Sequence, residues 1–416
     1  MKVRELSLTN FRAFGPERTF ALSDRMTVIA GVNGRGKTAM LDALATLLSR
    51  LLVSLDLIKN YRLLRPTDIH GEADAASLQM KVDCAKQPVT FRLDYQRESR
   101  RLKSTRLPPA LKKAIRNGYG DPTRPDDQAP LAVYYTTDRA GYRLPRTLPK
   151  SVPESDQRLA GDRALLNRMV DYRDFMWRFR FWSREKAHAR TVKALTRALS
   201  GFLGGISDVQ VEESPLRLSV RKDGHRLAID QLSDGERSFL AIVSDLVRRL
   251  SLANPELDDP LRGAGVVLID ELELHLHPTW QRSVVTTLRK TFPNIQFVAT
   301  THSAFIVQSL KPGELINLDP EEFEGEYSDK SIEDIAEHVM GVPTPQKSER
   351  YLKMVDVAEE YLRRARAVKP TSVQQAESLR AELDKLIEPY SDDPAYVALL
   401  RLEREKAIGG AANATS

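Results

Sequence analysis

The residues best suited to chemistry begin with Gly31-Val32-Asn33-Gly34-Arg35-Gly36-Lys37-Thr38, which matches G-x-x-x-x-G-K-[ST] between a short apolar run and a helical one. In such a loop, here Gly31, Asn33, Gly34 and Gly36, backbone N–H groups curl around a β-phosphate, and the helix that follows adds a favourable dipole. Lys37 would reach the β and γ oxygens of a nucleotide, and Thr38 would ligate Mg²⁺. Downstream, Val266-Val267-Leu268-Ile269-Asp270-Glu271 is a buried strand ending in two carboxylates. Asp270 suits the Mg²⁺ shell; Glu271, one residue on and so aimed differently, can take the proton from an attacking water. Acidic residues commonly end buried strands, so this pair gains its meaning from the loop upstream.

Two further segments complete the set. Leu232-Ser233-Asp234-Gly235-Glu236-Arg237 opens a helix, where the Ser233 hydroxyl and Gly235 N–H can bind the γ-phosphate of a nucleotide held by another copy of the chain. Taken alone, the same residues read as an N-cap with Glu236 in the first turn. Phe297-Val298-Ala299-Thr300-Thr301-His302-Ser303 is a strand ending in histidine, whose neutral imidazole can donate to a γ-phosphate oxygen and act as a switch, or serve as a satisfied structural residue. The order of the four segments along the chain favours the chemical reading of each.

Such residues need strands and helices to hold them. Val3 to Leu8 and Met26 to Ala30 read as strands, and Thr38 to Leu55 as a helix. Leu78-Met80-Val82 and Val89-Phe91-Leu93-Tyr95 alternate as antiparallel strands, with Gln87-Pro88 expected at the turn. Arg97 to Arg124, rich in Arg and Lys and broken by Pro, reads as irregular; Leu131 to Tyr135 returns as a strand. Ala164 to Phe202 is helical and is expected to form an arm of one or two helices. Its Arg173, Arg178, Arg180 and Arg184, interleaved with Trp177, Phe181 and Trp182, would either grip nucleic acid or divide into an aromatic core face and a solvated basic face. Val209 to Ile229 reads as a hairpin turning at Asp223-Gly224, since both positions tolerate positive φ. Helices over Ser238 to Leu252 and Thr279 to Phe292 alternate with strands over Gly265 to Ile269 and Ile295 to Thr300. After Leu310 acidic residues and Ser rise, and two amphipathic helices follow: Val373, Ala376, Leu379, Leu383 and Leu386 line one face of the first, and the second begins near Ala395. Gly409 to Ser416 reads as disordered. No internal repeat or sustained heptad run occurs.

Composition narrows the class. A chain of 416 residues suggests two lobes or one domain with large insertions. With 41% hydrophobic and 29% charged residues, and no run approaching the roughly 18 apolar residues of a membrane span, a soluble protein is expected. Met1 to Phe11 lacks the apolar segment of a secretory signal, which points to the cytoplasm. The single cysteine, Cys84, excludes a disulfide framework and a cysteine zinc cluster. A net charge of +6, set against 63 basic and 57 acidic side chains, permits nucleic acid as a partner without requiring it.

With these segments in hand, a family resemblance is plain. The chain resembles the ABC/SMC-like ATPases of the RecF and OLD kind: Leu8-Thr9-Asn10-Phe11-Arg12-Ala13-Phe14 looks like their N-terminal N-F-R-x-F element, and P-loop, signature, Walker B and switch histidine follow in register. The resemblance implies an α/β fold, an ABC-type P-loop ATPase head with an antiparallel β side sheet, a helical insertion and a C-terminal helical extension. The implied divisions are 1–96 for the first half of the head, 97–205 for the insertion, 206–318 for the second half and 319–416 for the extension. It also implies ATP and Mg²⁺ as cofactors, Arg12 near the phosphates, and a homodimer or higher oligomer that sandwiches ATP. Glu273-Leu274-His275-Leu276-His277-Pro278-Thr279-Trp280-Gln281 is similar to the D-loop region of prokaryotic AAA-type ATPases found with OLD nucleases and in antiphage systems. The i, i+2 histidines His275 and His277 lack a third ligand nearby, which disfavours a metal site. The glutamine of the transporter Q-loop is not evident, and Asp68 is the candidate for its place. That missing glutamine is one departure from the pattern, and the Toprim signature is the other. Phe323-Glu324-Gly325 has the look of a Toprim glutamate, but no D-x-D pair follows, so the chain is not expected to cut DNA itself. The tail from Gly341 to Arg401 looks like that of ATPases encoded beside an HNH-type nuclease, as in Septu-like and retron-linked systems. The implied role is therefore control of a separate nuclease in antiphage defence. The alternative is a RecF-like DNA-binding ATPase of repair or recombination; an importer's ATPase half is disfavoured by the Leu8 to Phe14 element and the large insertion.

Overall fold

The structure, a computed structural model, describes residues 1–119, 130–140, 144–153, 158–161, 163–166, 170–319, 326–342, 344–367 and 373–409. Along the chain come β1 (Lys2–Thr9), β2 (Arg18–Ala21), β3 (Met26–Ala30), α1 (Lys37–Ser54), β4 (Ala75–Cys84), β5 (Gln87–Gln96), β6 (Leu102–Ser104), α2 (Pro109–Tyr119), β7 (Leu131–Tyr135), α3 (Arg158–Gly161), α4 (Tyr172–Trp182) and α5 (Ala189–Phe202). There follow β8 (Ile206–Glu213), β9 (Leu216–Lys222), β10 (His225–Ala228), α6 (Asp234–Ala253), β11 (Gly265–Ile269), α7 (Pro278–Thr291), β12 (Ile295–Thr300), α8 (Ala304–Gln308), β13 (Leu315–Asn317) and α9 (Ile332–His338), then α10 (Glu349–Ala367), α11 (Val373–Ile387) and α12 (Pro394–Gly409). Residues Met1–Gly341 form one compact unit and Val342–Ser416 a second.

The short apolar runs become a parallel sheet in the order β13-β3-β12-β11-β7. β3, β7, β11 and β12 are buried along their whole length, because a parallel sheet is covered on both faces and needs apolar residues at every position. Alternate residues serve two cores: Val28, Val133, Val267 and Phe297 pack on one side, while Ile29, Tyr134, Leu268 and Val298 pack on the other with α1. The side sheet is antiparallel, β2-β1-β4-β5-β6. Gln296 on β12 ties the two sheets together: its side chain accepts from Val3 N at 2.8 Å and donates to Val3 O at 2.7 Å and Ser23 O at 2.8 Å, so this fully buried amide is satisfied.

Several elements differ from what the sequence predicts. The β4–β5 turn is Ala85-Lys86, both at positive φ, and Gln87 and Pro88 belong to β5. The stretch read as irregular holds β6 and α2; the latter starts at Pro109, a residue suited to a helix's first position, and buries Ile115. Leu107, Leu111 and Ile115 recur at helical spacing, but the cations around them hide the pattern. Val209 to Ile229 belongs to a three-stranded sheet, β10-β9-β8, with Asp223 (φ 47°) and Gly224 (φ 83°) turning between β9 and β10. The expected arm does not project. α4 and α5 lie in the main core, burying Phe175, Phe179, Trp182, Leu195 and Leu199. β7, placed by sequence within the insertion, pairs with β11 in the central sheet. The second unit begins at 342, later than the expected 319; its α10, α11 and α12 enclose Tyr361, Leu383, Ile387 and Leu400. Phe323 to Gly325 and residues 410–416 lie outside the described residues. Among the described residues, no helix is long and apolar enough to cross a membrane.

Candidate functional site

Strands β3, β12 and β11 are neighbours and parallel, so the segments that leave their carboxyl ends, Gly31 to Thr38, Thr301 to Ser303 and Asp270 to Glu273, emerge side by side. This is where open α/β sheets place their ligands. The loop after β3 turns at Gly36 (φ 101°), where a Cβ would meet the Phe14 ring at 2.7 Å; the turn that carries Arg12 is therefore packed beneath the loop. Lys37 is buried, and its Nζ donates to Gly31 O at 2.8 Å and Val32 O at 3.0 Å. Burial lowers Lys37 below the ordinary lysine value, opposed by the carboxylates of Asp319, Glu273, Asp270 and Glu271. Val32, Asn33, Gly34 and Arg35 remain exposed at the loop's tip.

Thr38 and Asp270, the residues expected to hold Mg²⁺, stand together. Thr38 Oγ1 lies 3.1 Å from both oxygens of Asp270, and Thr300 Oγ1 donates to Asp270 Oδ1 at 2.7 Å. A hydroxyl and a carboxylate are the hard oxygen donors Mg²⁺ takes from a protein, the rest of its octahedron coming from water and phosphate. Among the described residues no group of three or more His, Cys, Asp and Glu side chains is arranged to hold a metal. His277 instead caps α7, its Nδ1 accepting from Thr279 N at 3.3 Å.

Glu271 takes a left-handed backbone, φ 48°, uncommon for a residue with a side chain. Its N–H donates to Thr300 Oγ1 at 2.7 Å, its carbonyl accepts from Arg139 Nη2 at 2.6 Å, and its carboxylate makes no hydrogen bond among the described residues. Three residues not among the sequence candidates hold the segments of the site. Glu273 accepts from Thr301 Oγ1 at 2.6 Å and His302 N at 2.5 Å, holding the end of β12 and leaving the His302 ring exposed. Asp319 accepts from Val32 N at 2.9 Å and pairs with Arg35 at 2.5 Å. Arg139 reaches the end of β11 from the segment after β7. Of the three, only Glu273 stood in a recognisable motif.

The remaining sequence candidates are engaged by other neighbours. Arg12 is tied to Asp42 at 2.5 Å and Asp68 at 2.9 Å, so its guanidinium is already paired and Asp68 serves the same turn. Ser233 caps α6 and donates to Glu236 Oε2 at 2.9 Å; no hydrogen bond joins Ser233 or Gly235 to Gly31 through Thr38 among the described residues. Gly235 is buried, and a Cβ there would stand 2.4 Å from His275 O, so the absence of a side chain lets the start of α6 close onto the segment after β11. The aromatic and basic residues of α4 and the turn after it are largely engaged within the fold: Arg178 with Asp174 at 3.0 Å, Arg184 with Glu213 at 2.8 Å, and Trp177 Nε1 with Ser151 O at 2.9 Å.

Residues 26–308 match the family model described as AAA domain, putative AbiEii toxin, Type IV TA system. The chain is 36% identical over 229 residues to the retron Ec83 probable ATPase of Escherichia coli, a match covering 53% of this chain and 40% of that protein. It is 33% identical over 132 residues to the Septu protein PtuA of Bacillus mycoides, covering 32% of this chain and 18% of that one. The matches thus span less than half of either relative. Among solved structures, it is similar to the SMC head domain from Thermotoga maritima, with 16% identity, a TM-score of 0.43, and coverage of 75% of this chain and 93% of that chain.

Proposed function

The chain belongs to the AAA domain family whose model spans residues 26–308, and on that footing we propose that it is an ATPase that closes as an ATP-sandwiched dimer and controls a separate nuclease in prokaryotic antiphage defence. The observation that carries the chemistry is the arrangement at the ends of β3, β11 and β12: a loop of the phosphate-binding pattern, a Thr38–Asp270 pair within 3.1 Å, and the Glu271 carboxylate, which makes no hydrogen bond among the described residues. Thr38 and Asp270 would hold Mg²⁺, which when bound neutralises phosphate charge. Lys37 would exchange its two carbonyl partners for the β and γ oxygens. Glu271 would take a proton from the water that attacks the γ-phosphorus as the bond to the β-phosphate oxygen breaks. His302, exposed at the end of β12, would donate to the γ-phosphate. Ser233 and Gly235 share no hydrogen bond with their own chain's loop, which supports a partner copy as the owner of the phosphate they would meet. Retron-linked and Septu-like relatives support the defence setting and the nuclease partner, an HNH-type enzyme by the resemblance of the tail. Phosphate release from ATP in Mg²⁺ should be abolished by chelation, and the nuclease encoded alongside should copurify. Protein that leaves ATP intact sinks the ATPase reading; absence of a copurifying nuclease sinks the partner.

A second reading, direct DNA binding as in RecF-like ATPases, is favoured by one segment. Residues 99–120 contain Arg100, Arg101, Lys103, Arg106, Lys112, Lys113 and Arg116 and no acidic residue, so with +6 on the whole chain the remainder is net −1. Arg116 alone of the seven has an ion-pair partner among the described residues, Asp56 at 3.4 Å, whereas arginines elsewhere are commonly paired. Arg101 and Lys103 are exposed on and beside the edge strand β6. Reversing Arg100, Arg101 and Lys103 to Glu should weaken duplex binding and flatten the slope of log affinity against log salt by about 2 to 3, with ATP turnover intact. An unchanged slope counts against this surface.

A further inference from the structure

We propose that Arg139 is a positioning residue for the ATPase reaction, a guanidinium fork that grips the two carbonyls at the end of β11 and so keeps the Glu271 carboxylate aimed at the attacking water. The inference rests on the ATPase reading above. Arg139 is 1% exposed, and its Nη1 donates to Asp270 O at 2.5 Å and to Thr136 O at 3.2 Å, while Nη2 donates to Glu271 O at 2.6 Å. Among the described residues no carboxylate pairs with it directly, and its Nε has no hydrogen-bond partner. A buried cation held by peptide carbonyls alone is a costly feature.

Its geometry supplies the reason. Along an extended strand successive carbonyls point to opposite sides, yet those of Asp270 and Glu271 converge on one guanidinium. That convergence accompanies the left-handed φ of 48° at Glu271. A side chain holds such a conformation where its surroundings fix it. Here the fixing is two-sided: Thr300 Oγ1 takes the Glu271 N–H while Arg139 takes the Glu271 carbonyl. Burial brings the Arg139 guanidinium down to about 10, and the nearby carboxylates of Asp270, Glu273 and Glu271 oppose that fall, so it is charged at neutral pH. Lysine, a point charge without a fork, cannot hold the two converging carbonyls in the same way.

The test uses the full chain. R139K should lower kcat for ATP hydrolysis on the order of 10- to 100-fold, with fluorescent-nucleotide affinity and KM changed by no more than about twofold. R139A should be slower still and should regain turnover when guanidinium is added at millimolar concentration, whereas ammonium should not restore it. A role limited to stability would instead lower kcat and the melting temperature together, with no rescue. R139K at wild-type kcat, or folded R139A that guanidinium leaves inactive, overturns the proposal while the ATPase reading stands. Wild-type protein that binds ATP without turning it over overturns both.

Discussion

Glu271→Gln is expected to slow ATP hydrolysis by about 10²- to 10⁴-fold, the usual weight of a general base, while leaving ATP binding intact. The residue is singled out by what its neighbours are doing. Of the four carboxylates that bear on Lys37, Asp270 is held by the Thr38 and Thr300 hydroxyls. Glu273 is held by Thr301 Oγ1 and His302 N, and Asp319 by Val32 N and Arg35. Glu271 is the one whose carboxylate makes no hydrogen bond among the described residues, and its backbone is pinned on both sides. A fixed backbone carrying a carboxylate with open acceptors is what proton abstraction from water requires. Glutamine keeps the shape and removes the basicity, so the variant should accumulate with ATP bound. Under the sandwich reading that state is the dimer. Light scattering with ATP and Mg²⁺ should then report a doubled mass for the Glu271→Gln protein and a monomer mass for a Lys37→Ala control, which cannot hold the phosphates. Phosphate release at the wild-type rate would remove Glu271 from the mechanism; a monomer with ATP bound would remove the sandwich.

What sequence could and could not disclose follows from how each residue acts. Lys37, Thr38, Asp270 and Glu271 would act through side chains set in local patterns, so the loop's spacing singles out the first two and gives meaning to the strand-end pair. Arg139 donates to the carbonyls of residues more than a hundred positions away, and a carbonyl has no residue type to read. Thr300 looks like one more strand residue until its hydroxyl is seen linking Glu271 N–H to Asp270. Asp319 lies just beyond β13, a strand of three residues that gives too short a pattern to place. The helical segments fail differently. Phe175, Phe179 and Trp182 have the spacing of a buried face, and only packing decides whether that face meets a core or a ligand. For Arg12 the turn was legible and the partners were not, since Asp42 and Asp68 come from separate elements.

Asp245→Ala is expected to destabilise the unit Met1–Gly341 by about 3 to 5 kcal/mol, the cost of leaving buried charge uncompensated. Asp245 is 2% exposed on α6, bonded to Arg248 Nη2 at 2.5 Å and Arg249 Nε at 2.7 Å, and it accepts from the Tyr135 hydroxyl at 3.0 Å. Removing the anion takes a direct counter-charge from two arginines that are themselves 4% and 6% exposed. Asp174 can still take part of the Arg248 charge, and Arg249 keeps its bond to Ala160 O at 2.7 Å. All three tryptophans, Trp177, Trp182 and Trp280, lie in this unit, so tryptophan fluorescence in urea reports its unfolding. The pH dependence has a definite sign. Burial alone would raise the Asp245 carboxyl, but Arg249 and Arg248 outweigh it and hold it well below the usual carboxylate range. A carboxyl depressed in the folded state stabilises fully above its unfolded value of about 3.9, and that contribution is lost as pH falls through the folded value. The gap between wild type and Asp245→Asn should therefore be constant above about pH 5 and narrow in acid. The network also bears on the site. Tyr135 reaches Asp245 through its hydroxyl and accepts from Asp270 N through its carbonyl at 2.8 Å, while α6 starts from Ser233. One buried anion thus joins the helix that would face a partner's nucleotide to the strand end that would hold the metal. Asp245→Asn should keep the fold better than Asp245→Ala and still lose turnover. A midpoint shift below about 1 kcal/mol for Asp245→Ala would show that the arginines find other partners, and wild-type turnover in Asp245→Asn would show that the two ends are not coupled through it.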